Sequence, residues 1–207
     1  MESNNIQNDL QHIRHMMERS SRFISLSGLS GVFAGITALV GAFFVHQVFQ
    51  SEGISYFDNS GRVYEFHFIK KLFLIGLGIL VVALFFGYFF TARKSKQQNQ
   101  KIWDATTKRL LINFAIPLVT GGLFCIGLIY QHYFAMIAPA TLIFYGLALV
   151  NAERYTLTDV KYLGISEIVL GLLSLFFLGY GLLFWAIGFG VLHIVYGLVM
   201  YKKYDSK

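Results

Sequence analysis

The chain has 207 residues, of which 56 % are hydrophobic and only 14 % charged, and it carries a net charge of +6. That length leaves room for one membrane domain and little else. The single cysteine, Cys125, excludes an internal disulfide.

Residues 5–22 open the chain as an amphipathic helix. Ile6, Leu10, Ile13 and Met17 repeat at helical spacing, while Asn8, Gln11, Arg14 and Glu18 face elsewhere. This helix either lies on a membrane surface, with its arginines near anionic head groups, or docks on the protein's own loops or on a partner. It is not a secretory signal: Glu2, Asp9 and Glu18 precede an apolar run too long for an h-region. Residues 1–22 are therefore expected to be a cytoplasmic segment, with the first span retained.

Six apolar runs follow, at about 23–49, 71–92, 110–130, 133–150, 163–179 and 182–201. A hydrocarbon core about 30 Å thick takes ~20 apolar residues of helix to cross, and backbone groups in lipid must be satisfied within the segment. Runs this long and continuous do not show the alternation of a barrel strand. The expected fold is an all-α membrane protein with six transmembrane helices, occupying 23–201 and ending in a basic cytoplasmic tail, 202–207. Short turns at Gln131 and His132 and at 179–181 pair the spans as three hairpins.

In the first span, Ser27, Gly31 and Gly35 form a stripe of small residues for close helix packing; a homo-oligomer through that face is the alternative. The loop over 50–70 holds a turn signal, DNSG at 58–61, followed by aromatic alternation at Tyr64, Phe66 and Phe68 that reads as strand. The basic segment 93–109 reads as a membrane-surface linker helix. Pro117 and Pro139 interrupt spans three and four and free the carbonyls of Asn113 and Ala135.

Fourteen of the 17 Lys and Arg residues fall on one side of this arrangement; the other side holds only Arg62, Lys70 and Lys71. The positive-inside rule places both termini in the cytoplasm. The same asymmetry accounts for the net charge without a nucleic-acid partner.

Glu167 is the one acidic residue inside a span. Ionisable groups at such depth are costly and face protein or water. Asn113 and Asn151 are expected at similar depth, with Arg109 and Arg154 near the mouth, and together they would form a polar recess open to the cytoplasm. Glu167 there binds a cation, carries a proton or contacts a polar ligand. Alternatively it is held by Asn113 or an arginine and only locks two helices together. His46, His67 and His132 map to the outer side without ligand spacing, so they are weak metal candidates. His193 sits near the midplane with no second histidine to complete a haem site. No nucleophile elbow, zinc-protease, P-loop or dinucleotide motif appears, and no cofactor is implied.

Three stretches, IRHMMERSSRF at 13–23, NFAIPLVTGG at 113–122 and YGLALVNA at 145–152, resemble a family of uncharacterised bacterial six-span inner-membrane proteins. The resemblance covers nearly the whole chain and implies a bacterial inner-membrane location, with no established activity. The function expected is a non-enzymatic membrane sensor or scaffold that meets a cytoplasmic protein partner through residues 1–22. The alternative is a small-solute or ion transporter or channel using the recess around Glu167.

Overall fold

The computed structural model describes residues 26–54, 64–97 and 102–206. The amphipathic helix expected over 5–22 and the turn at 58–61 lie outside them. Every element among the described residues is helical: α1 (Gly28–Ser51), α2 (Phe66–Gln97), α3 (Ala105–Tyr130), α4 (Ile137–Ala152), α5 (Val160–Phe176) and α6, a helical segment over Leu178–Asp205. Within α6 the α-helical stretches Gly181–Trp185 and His193–Met200 flank a π-helical turn at Ala186–Leu192, and a second π-helical turn, Tyr201–Asp205, closes it.

Five of these segments are long and apolar enough to cross a membrane, counting α4 with its flanking turns as Phe134–Tyr155. The 17 residues of α5 rise only about 25 Å, short of a full hydrocarbon core. Along α2 and α3, Phe73, Leu84, Phe85, Ile116, Leu123 and Ile126 are all more than half exposed. A water-soluble fold does not leave such a continuous apolar surface bare; around a multi-pass membrane protein the neighbouring solvent is lipid.

Several boundaries differ from the sequence reading. Phe66 and Phe68 belong to a helix, and the expected strand is not formed. Only Phe68 turns inward, against Phe49 and Tyr64, while Phe66 is 82 % exposed. A helix that overhangs the lipid can carry aromatic residues at alternate positions without burying all of them. The basic linker is likewise not a separate helix at its described ends: α2 absorbs 93–97, and α3 starts at Ala105, where the Asp104 carboxylate accepts from the Thr107 N–H at 2.7 Å. The C-terminal residues 202–205 continue α6 instead of forming a tail.

The proline positions also resolve differently. Pro117 lies inside an unbroken α3, and the Asn113 carbonyl it frees accepts a 2.6 Å hydrogen bond from the Asn151 side-chain amide of α4. Pro139 does not interrupt a helix. It sits in the first turn of α4, where backbone N–H groups have no intrahelical partner in any case.

The helices form two groups of three. α1 packs between α2 and α6, and α4 packs between α3 and α5, with α6 also touching both α4 and α5. The third sequence hairpin is thus joined by a tight turn, yet each of its helices leans mainly on another partner. Glycine explains this. A methyl at Gly197 would meet the Val32 amide nitrogen at 2.5 Å and the Gly28 carbonyl at 2.7 Å, and Gly31 lies against Gly197 and His193. The backbones of α1 and α6 therefore touch, and the Gly31–Gly35 stripe is covered by α6 of the same chain. The α4–α5 contact is built alike, with Gly146 and Gly164 each facing the other's carbonyl. Without a hydrophobic drive between helices in lipid, such close backbone approach supplies much of the attraction.

Candidate functional site

Two buried polar clusters stand out, one where the groups meet and one at the end of the α1–α2–α6 group. The first is built around Glu167 at mid-bundle. On α5, Gly164, Glu167, Gly171 and Ser174 recur at spacings of three and four, so they share the buried face. The small residues let α4 approach, and Glu167 is wholly enclosed at 0 % exposure. Its Oε2 packs against Gly188 of α6, where a methyl would lie 2.5 Å away. Its Oε1 is 3.4 Å from His193 Nδ1.

The π-helical turn arranges this contact. In a π-helix each carbonyl faces the fifth residue onward, and Gly188 and His193 are five apart. His193 Nδ1 lies 3.0 Å from the Gly188 carbonyl. A carbonyl can only accept, so Nδ1 carries a hydrogen and donates it. Nε2 lies 2.8 Å from the Tyr145 hydroxyl of α4. It accepts from Tyr145 when the imidazole is neutral and donates to it when the ring is charged. The ring stacks on Phe189, which touches Trp185, and Tyr145 meets Phe114 of α3 edge-on. Four helices thus converge on one buried carboxyl–imidazole–phenol row.

Neither Glu167 oxygen has a hydrogen bond, and the buried Ser174 and Tyr196 hydroxyls also lack one. An isolated charge buried this way is strongly disfavoured. The carboxyl and imidazole are therefore both neutral or both charged.

The second cluster closes one end of the bundle. Lys94 of α2 and Asp205 of α6 form an ion pair at 2.6 Å, each side chain less than a tenth exposed. Asp205 Oδ2 accepts from the Ser27 hydroxyl at 3.0 Å and from the Gly28 N–H at 2.9 Å, so a residue of α6 caps α1. Lys94 also donates to the Leu26 carbonyl at 2.8 Å. Next to it, Asp159 accepts from Lys203 at 2.7 Å and Tyr204 at 2.8 Å, tying the end of α6 to the start of α5. Burial by itself would raise the Asp159 carboxyl, but these two hydrogen bonds and the Lys203 charge outweigh it and hold the group below the usual carboxylate range.

The expected recess residues are not gathered around Glu167. Asn151 bonds the Asn113 carbonyl, and the Asn113 amide donates to the Arg109 carbonyl at 2.8 Å. Arg109 and Arg154 are exposed. Ser27 acts as a helix-end residue, and Gly28 replaces it in the packing stripe. His46, His67 and His132 are all exposed, and the described residues contain no group of three metal-ligating side chains. His132 occupies the left-handed region at φ 63° in the turn after α3.

His193 and Tyr145 are the partners that sequence reasoning missed. The signal was depth: Glu167 lies twelve residues before Gly179, His193 twelve after Gly181, and Tyr145 twelve after Tyr133. Residues equidistant from turns on one side share a level. No family model, no curated protein and no solved structure matches this chain.

Proposed function

We propose that this chain is a six-span bacterial inner-membrane protein with both termini in the cytoplasm, acting as a non-enzymatic sensor that engages a cytoplasmic protein partner through residues 1–22. The reading rests on the complete enclosure of Glu167: among the described residues the only acidic group at mid-bundle faces α6 rather than an aqueous recess. Such a group suits a bistable contact between helices better than a solute path. The clasp supports a coupled end. Lys94, Asp205, Ser27 and the Leu26 carbonyl meet directly after the N-terminal segment, so a pull on that segment reaches α2 and α6 together.

Two measurements test this reading. Co-purification from native membranes should recover one partner with the full chain and lose it when residues 1–22 are deleted, while the deleted protein stays monodisperse in detergent. Retention of every co-purifying protein refutes the sensor. For topology, a Cys125→Ala background with Ser3→Cys, Tyr180→Cys or Ser206→Cys should expose only Cys at 180 to an impermeant maleimide added to intact cells. Labelling at 3 or 206 refutes the orientation.

The transporter reading keeps one observation in its favour, namely two three-helix groups meeting at an ionisable contact. Proton or cation flux into proteoliposomes, abolished by Glu167→Gln, would select it over the sensor.

A further inference from the structure

We propose that Glu167, His193 and Tyr145 form a proton-binding site whose occupancy controls how α5 meets α6. The proposal rests on the sensor reading and names its stimulus as the proton.

With Nδ1–H committed to the Gly188 carbonyl, the site binds one further proton, on the Glu167 carboxyl or on His193 Nε2. Both placements leave the pair neutral overall. Loss of that proton leaves one negative charge, and a second proton leaves one positive charge, in each case in a space with less than a tenth of either side chain exposed. The site relieves such a charge by admitting water. Water can enter at the α5–α6 contact, which is lighter than the contacts that hold α5 on α4 and α6 on α1. Gly188 is the wall that moves, because the carboxylate rests on it with no side chain between.

The groups around the pair set the balance. From α4 the site receives only Tyr145 as a titratable side chain, from α3 only Phe114 at its edge, and from α6 itself Tyr196, one turn beyond His193. Tyr196 packs with Tyr145 and Tyr204 around the cluster of Leu149, Val160, Leu163 and Met200. Asp159 and Lys203 lie further along, at the bundle end. α1, packed on the other side of α6, has His46 as its one titratable group, and it is exposed. No fixed cation among the described residues is paired with Glu167, so its only charge partner is the imidazole.

The test uses the full chain in lipid nanodiscs, titrated from about pH 4 to 9 around the range where an imidazole changes charge. Infrared difference spectra should show a buried carboxylic-acid carbonyl band that titrates in the wild type, is missing in Glu167→Gln and moves in His193→Gln. In a Trp103→Phe background, Trp185 emission should change with the same midpoint, because Trp185 reaches the imidazole through Phe189. Tyr145→Phe should shift that midpoint by about one pH unit, a tenfold change in proton affinity. Two results overturn the proposal: a wild-type spectrum without a titrating buried acid band, or a Trp185 transition that survives in both Glu167→Gln and His193→Gln. The wild-type spectrum needs no variant to fold. If deletion of 1–22 spares every partner while the titration persists, the sensor reading fails and the proton site stands.

Discussion

The clasp at the bundle end makes the sharpest quantitative prediction. In Asp205→Ala, Lys94 loses its counter-ion at 2.6 Å while staying less than a tenth exposed, and α1 loses the acceptor for Gly28 N–H and Ser27. Removing one partner of a buried ion pair costs about 3–5 kcal/mol, and losing a helix cap about 1 kcal/mol. One carboxylate supplies both terms, so they do not simply add. Lys94 also keeps the Leu26 carbonyl. We expect a net cost of about 3 kcal/mol. Lys94→Met should cost less, about 2 kcal/mol, because Asp205 retains two donors and the positive end of α1. The double variant leaves no orphan charge and loses the cap and the Lys94 bond to the Leu26 carbonyl, so it should cost about 2 kcal/mol. That lies well below the sum of the singles. Reversible unfolding in mixed micelles, followed by far-UV circular dichroism, measures all three. A change under about 0.5 kcal/mol for Asp205→Ala, or strict additivity, refutes the reasoning.

Three further outcomes follow from the packing and the charges. Gly197→Ala should destabilise by about 1–3 kcal/mol, since backbone on α1 cannot yield; Gly76→Ala, with open space around it, should lose nothing in the same assay. Asn151→Ala should cost about 0.5–1.5 kcal/mol by removing the exposed bond to the Asn113 carbonyl. Pro117→Ala restores the backbone donor and should abolish most of that cost, and equal costs in both backgrounds would contradict the assignment. Asp159→Asn should cost under about 1 kcal/mol at neutral pH, because the pair with Lys203 is partly exposed. The folded-state carboxyl is lowered, so its contribution is present above the unfolded value of about 3.9 and lost as pH falls through the lower folded value. Wild type and variant should begin to converge only below about pH 4, as read by thermal unfolding at several pH values.

Much of the fold was legible in the sequence because the bilayer imposes a simple length rule. Apolar runs of about 20 residues mark helices whatever they pack against, and small residues mark close approach. Helix partnership was not legible, since proximity along the chain argued for α5 with α6 while Gly190 and Gly197 of α6 face α1. The strand reading at 64–68 failed for a related reason. Alternating aromatics specify a sheet face only if alternate residues are buried together, and Phe66 is not.

The site failed differently, through a rule about charge rather than geometry. Grouping by polarity selected Asn113, Asn151, Arg109 and Arg154 for Glu167, yet asparagines can satisfy backbone locally, and the arginines remain exposed. A wholly buried carboxyl instead stays neutral or faces a group at its own depth that can offset its charge. An imidazole can do so, and it changes charge near neutrality. His193 was the one midplane histidine, and testing it only as a haem ligand hid that role. The criterion for such proteins is therefore to match each intramembrane acid with a titratable partner at equal distance from the connecting turn. Here that criterion selects His193 directly, and a tight glycine such as Gly188 beside the acid then marks the contact that can open.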